Sequence, residues 1–154
     1  MIAALAHYRP AAQACDSLRF AGYAALFGRP DSGGDVIVRG AFGRSLDARR
    51  RAGEAMPVLW QHRPGQQIGW IEHAAEDSRG LRIIGRVAHA EGTRALLLKD
   101  GEVTGLSFGY RATSFRPILL AGGNPGRELA EVDIFEVSLV TDPMQPGARV
   151  HLVV

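Results

Sequence analysis

The stretch GLSFGYRATSFRP, residues 105–117, decides the fold by whether it bends into a helix after its serine or runs on as a strand. Its first five residues match G-x-S-x-G, the pattern of the strained turn that exposes a nucleophilic serine ahead of a helix in α/β-hydrolases. The next residues, YRATSFRP, alternate and include aromatic and β-branched side chains, the composition of a strand. An elbow would also require the chain order serine, acid, histidine, which leaves only His151, three residues from the end of the sequence. The stretch therefore reads as a long strand. Side chains two apart share a strand face, so Gly105 and Gly109 remove bulk on both sides of Ser107 and would clear an approach for an extended peptide. Leu106, Phe108 and Tyr110 point the other way, toward a core.

Outward from this strand the chain is strand-rich. Residues 18–27 (LRFAGYAALF), 35–38 (DVIV), 56–62 (MPVLWQH), 66–76 (QQIGWIEHAAE), 79–89 (RGLRIIGRVAH), 127–140 (RELAEVDIFEVSLV) and 148–154 (ARVHLVV) all suit strands. Turn signals separate them: RPDSGGD at 29–35, Pro64-Gly65, AGGNPGR at 121–127 and Thr141-Asp142-Pro143. Two helices are expected, at residues 41–52 before Gly53 and at 91–101 ending on Gly101. No regular βαβ alternation appears, so the expected fold is mainly β (α+β), a barrel or sandwich with two helices. Residues 1–17 are expected to be a loose N-terminal segment and residues 18–154 one domain.

Composition excludes several classes. With 46% apolar and 22% charged residues the chain is globular, and at 154 residues roughly 68–70% of its unfolded surface can be buried. Net charge is +2, and the basic run Arg49, Arg50, Arg51 reads as a solvated helix face, so no nucleic-acid partner is expected. Cys15 is the only cysteine, which rules out an intrachain disulfide. No apolar run approaches the roughly 20 residues of a membrane helix, and MIAALAHYRP lacks the basic start of a signal peptide, so a protein inside the cell with no membrane partner is expected. The loop AGGNPGR lacks the Gly-Lys-Ser/Thr ending of a phosphate loop.

A serine needs a base, and the base needs a group to orient it. Of the five histidines, His7 lies in the N-terminal segment, while His73 and His89 sit among Glu72, Glu76 and Glu91 in mixed surface stretches. None has a metal-binding partner at helical spacing, so neither a metal site nor a cofactor is expected. His62 closes the buried-looking strand PVLWQH, on the same face as Trp60 if the strand persists, and is the candidate base. For the orienter, alternation along VDIFEVSLV puts Val132, Ile134, Glu136, Ser138 and Val140 on one face. A carboxylate in that row needs a hydrogen-bond partner, which favours Glu136 over Asp133 near the strand's start.

The ordered set VLWQH, IGWIE, GLRIIGRV, GEVTGLSFGY, EVDIFEVSLVTDP and GARV resembles the prohead protease family of HK97-type tailed phages and gene transfer particles, over about residues 18–150. The resemblance implies a fold similar to the herpesvirus assemblins, an antiparallel β-barrel with a few surrounding helices. It also implies a serine endopeptidase that trims the major capsid protein or its scaffolding segment inside assembling proheads in the cytoplasm of a bacterial host. Carried onto matching positions, His62 is the base and Ser107 the nucleophile; Glu136 stands in the late strand where assemblins use a second histidine, with Asp133 close by. The partners implied are a polypeptide substrate and possible self-association. Two other classes stand beside this one: an esterase-like hydrolase using Ser107, Asp133 or Asp142, and His151, and a non-catalytic capsid-assembly scaffold.

Overall fold

The computed structural model describes residues 16–154. Within it, eight strands form one curled sheet: β1 (Ser17–Leu26), β2 (Asp35–Ile37), β3 (Met56–Trp60), β4 (Gln67–Glu76), β5 (Gly80–Ala88), β6 (Gly105–Leu119), β7 (Pro125–Val140) and β8 (Val150–Val153). Two α-helices, α1 (Gly43–Ala52) and α2 (Thr93–Lys99), come after β2 and β5. The mainly β architecture with two helices is thus present. The expectations on residues 1–15, including His7, Cys15 and the looseness of the N-terminal segment, lie outside the described residues.

The sheet runs β2-β7-β3-β4-β5-β1-β8, with β6 paired to the other side of β7. Most pairings are antiparallel, but β7 meets β2 and β3 in parallel. The parallel contacts arise because β7 is long: Arg127–Leu129 pair with β2 and Val137–Leu139 with β3, while β6 lines the opposite edge. The curl brings the ends of the sheet together. Leu106 N–H donates to Ala148 O, Val150 N–H to Thr104 O and Tyr23 N–H to Arg149 O, so the segment entering β8 joins β6 to β1.

Inside the curl lies one apolar cluster, in which Phe20, Phe42, Ile83, Leu98, Leu106, Ile134, Val137 and Leu139 are fully buried. Helix α1 ends as expected: Gly53 is left-handed (φ 67°) and its N–H closes onto Arg49 O and Arg50 O. Two of the three arginines before it have structural partners. Arg49 Nε donates to Ile134 O at 2.9 Å and Arg50 pairs with Asp47 at 2.6 Å, both at the helix end that favours positive charge.

A polar clamp fixes β2 to the β6/β7 hairpin. Buried Asp35 accepts both Arg127 Nε (2.8 Å) and Nη2 (2.7 Å) and the Tyr110 hydroxyl (2.5 Å). The Arg127 guanidinium holds the Asp35 carboxyl below the usual carboxylate range, and burial pushes the Tyr110 phenol up.

Candidate active site

Alternation along β7 does not run through unbroken. In the register, Gly109 faces Glu136 but the next residue, Tyr110, faces Ile134, so Phe135 is an extra residue on β7. The bulge changes which side chains share a face. Val132 and Ile134 join Val137 and Leu139 in the core, while Glu136 and Ser138 turn to the outer face, correcting the expected row in which Ile134 and Glu136 stood together. Ser107 stands directly opposite Ser138, on that same outer face, where cross-strand Cβ atoms lie about 4.5–5.5 Å apart. Leu106, Phe108 and Tyr110 face inward as expected, with Phe108 edge-on to Phe42 and tilted against Tyr110.

His62 reaches the outer face through a break in β3. The strand stops at Trp60, and Gln61 (φ 53°) and His62 (φ 57°) are left-handed, so His62 does not continue the face of Trp60. Contacts with the end of β7 and with Thr141 just beyond it hold this strained pair. Gln61 N–H donates to Leu139 O (3.0 Å), the Gln61 amide exchanges hydrogen bonds with Thr141, and His62 N–H donates to Ser138 Oγ (3.2 Å).

The turn delivers the imidazole to the acid. His62 Nδ1 lies 2.5 Å from Glu136 Oε1, and Ser138 Oγ–H donates to Glu136 Oε2 at 2.6 Å. With both Glu136 oxygens accepting, a neutral imidazole in this contact donates from Nδ1 and presents Nε2 as its acceptor. Glu136 is buried at 5% exposure, Ser107 likewise at 5%, and the imidazole is 41% exposed. The Ser107 hydroxyl has no hydrogen bond among the described residues, so the step from Nε2 to Ser107 is not closed in this conformation.

The two glycines beside Ser107 have internal neighbours. A Cβ at Gly109 would lie 2.6 Å from Glu136 Oε1 and 2.6 Å from Phe135 Cε2, and one at Gly105 2.5 Å from Val140 O and 2.9 Å from Pro143 Cδ. A side chain at either position would therefore meet protein atoms, and at Gly109 it would meet the carboxylate itself.

The remaining candidates are elsewhere. Asp133 pairs with Arg111 at 3.0 Å in an exposed bridge, and His151 on β8 stacks against Tyr23, with ring centroids 6.0 Å apart. His89 pairs with Asp16 at 3.5 Å. Among the described residues no cluster of His, Cys, Asp or Glu could hold a metal ion, and no helix is long and apolar enough to cross a membrane. A concavity of about 780 Å³ between α2 and the ends of β4 and β5 is lined by Trp60, Ile68, Val87 and Leu97 but by none of Ser107, His62 and Glu136. Of the residues that build the site, sequence reasoning placed Ser138 only in the row with Glu136. Its spacing of two from Glu136 was the signal that the two share a face.

The family model for the Caudovirus prohead serine protease matches residues 8–154. The chain belongs to that family. Within it, the chain is 27% identical over 135 residues to the prohead protease of Enterobacteria phage HK97, an alignment covering 85% of this chain and 58% of that one. It is 29% identical over 104 residues to a capsid polyprotein of Pseudomonas phage PAJU2, covering 62% of this chain and 15% of the polyprotein. The chain thus spans little more than half of the HK97 protease. Among solved structures it resembles the capsid assembly protease of bacteriophage T4 (TM-score 0.59, 12% identity, 79% of this chain and 80% of that one). It also resembles the KSHV protease in complex with a hexapeptide phosphonate inhibitor (TM-score 0.55, 15% identity, 90% and 65%). These likenesses establish an assemblin-like fold for this prohead protease family member.

Proposed function

We propose that this chain is a serine endopeptidase of prohead maturation in which Ser107 is the nucleophile, His62 the general base and Glu136 the group that orients it. The observation that carries this is the 2.5 Å hydrogen bond between His62 Nδ1 and Glu136 Oε1, formed on the sheet face that also bears Ser107. It leaves Nε2 as the acceptor nitrogen, the one a base needs. Ser107 Oγ would attack the substrate carbonyl as Nε2 takes its proton. Collapse of the tetrahedral adduct would return that proton to the leaving amine, and water activated by the same nitrogen would release the acyl group. Glu136 would hold the ring in place and balance the imidazolium in each half-reaction.

The substrate is the major capsid protein or its scaffolding segment, met inside the assembling shell in the host cytoplasm. Support for an extended polypeptide comes from β6 itself. Past Leu106 its outer edge pairs with no strand among the described residues, so its amides beside Ser107 are free to add a peptide as a further strand. The family relatives, a prohead protease and a capsid polyprotein, support the same partner.

Co-expression with the cognate capsid protein tests the assignment. Wild type is expected to yield cut capsid protein, and Ser107→Ala and His62→Ala are expected to yield none. Cutting by both variants overturns the site, and full processing by a well-folded Ser107→Ala chain would leave a scaffold role instead.

A further inference from the structure

The outer face holds one polar side chain that the reaction as described does not use. Ser138 is fully buried, at 0% exposure, in a part of β7 whose inward neighbours Val137 and Leu139 are core residues. A hydroxyl in such a place needs partners, and Ser138 has two. Its Oγ accepts the backbone N–H of His62 at 3.2 Å and donates to Glu136 Oε2 at 2.6 Å. Together with the contact between His62 Nδ1 and Glu136 Oε1, these bonds close a ring: His62 backbone, Ser138 hydroxyl, Glu136 carboxylate, His62 imidazole. We propose that Ser138 is a positioning residue for the proteolytic reaction, holding the base and its orienting acid in one rigid loop of hydrogen bonds. The proposal rests on the assignment of His62 and Glu136 above.

Three physical arguments support it. A carboxylate side chain carried on a strand is free to rotate, and a hydrogen bond to one oxygen fixes which way the other points. Ser138 therefore aims Oε1 at the imidazole. Next, His62 adopts a left-handed backbone (φ 57°), which a non-glycine residue keeps only when its surroundings hold it, and the bond to Ser138 is one of those holds. Finally, Ser138 spans the same two elements that must stay in register for catalysis, the end of β3 and the last residues of β7. A loss of either bond loosens the imidazole relative to Ser107, which stands across from Ser138 on β6.

The test compares wild type, Ser138→Ala and Ser138→Cys by two readouts. One is the rate at which a fluorophosphonate probe labels Ser107. The other is the far-downfield proton resonance of the His62 Nδ1–H, identified by its absence in His62→Ala. Ser138→Ala is expected to label on the order of 10–100-fold more slowly and to lose or displace the resonance, with Ser138→Cys, near in shape and a weaker donor, lying between. Slow labelling with an unmoved resonance would mean that Ser138 only packs, and overturns the proposal, as does labelling within about twofold of wild type. If Ser138→Ala melts too low to assay, Ser138→Cys decides by the same two criteria. A probe found on a residue other than Ser107 would sink the nucleophile assignment, while the resonance would still judge the hold of Ser138 on His62 and Glu136.

Discussion

Gly109 stands opposite Glu136 on the paired strands, and the carboxylate occupies the place where a side chain at Gly109 would be. The bulge that inserts Phe135 puts both Phe135 and Glu136 over this one glycine. A methyl group there would have to push aside both the half-exposed Phe135 ring and the acid that holds the imidazole.

Gly109→Ala is therefore expected to fold and to lose activity about 10–100-fold, an effect on the orienting acid rather than on access. Gly65→Ala is the control, since nothing lies within 4 Å of a Cβ at that position. Capsid processing and fluorophosphonate labelling of the two variants check this; equal activity would show that Glu136 has room to move.

Glu136→Gln keeps the shape of the side chain and removes its charge. An amide can present N–H to Nδ1, which favours the tautomer with its proton on Nε2, where no base function remains. A loss of on the order of 10³-fold or more in processing rate is expected, with the melting temperature little changed. A loss of tenfold or less would remove Glu136 from its assigned role.

Asp35 should make the stability of the fold depend on acid. Its carboxyl is held below the usual range by Arg127, so its pKa is lower folded than unfolded. The stability it contributes is present above the unfolded value of about 3.9 and is lost as pH falls through the depressed folded value. Melting curves should show Asp35→Asn less stable than wild type near pH 7, and the difference shrinking below about pH 4. A difference independent of pH would mean that shape, not charge, sets the contribution.

Gln145 should be a stability residue. It is buried, donates to Leu26 O at 3.0 Å and Arg29 O at 2.8 Å, and accepts Leu26 N–H at 2.7 Å. Gln145→Leu would orphan backbone groups at the end of β1, at a cost of about 1–3 kcal/mol for each one left without a partner. Denaturant unfolding at neutral pH measures this, and a change under about 0.5 kcal/mol would mean that water replaces the amide.

Much of the fold was legible in the chain. The strand that carries Ser107 was recognisable because its alternation and β-branched residues continue where a hydrolase elbow would turn into a helix. The stop of α1 at Gly53 was readable from a single glycine, since only the left-handed turn there closes the last carbonyls. His62 and Glu136 were found as residues out of keeping with their apolar strands, and the structure joins them.

Other features needed partners distant in sequence. The row containing Glu136 was misjudged because a bulge is set by the partner strand: Phe135 is extra only in relation to Gly109 and Tyr110 on β6. The parallel pairing of β7 with β2 and β3 joins segments far apart in the chain, which no local pattern encodes.

By itself, then, the sequence determined which segments are strands and which residue types could do acid–base chemistry, because alternation and turn chemistry act over a few residues. Only the tertiary structure decided that the chain leaves β3 in a left-handed turn at His62, that Ser138 closes a ring with His62 and Glu136, and that Gly109 makes room for the acid. Those relationships join residues as far apart as 74 and 76 positions, where contact is settled by packing and register rather than by neighbours in the chain.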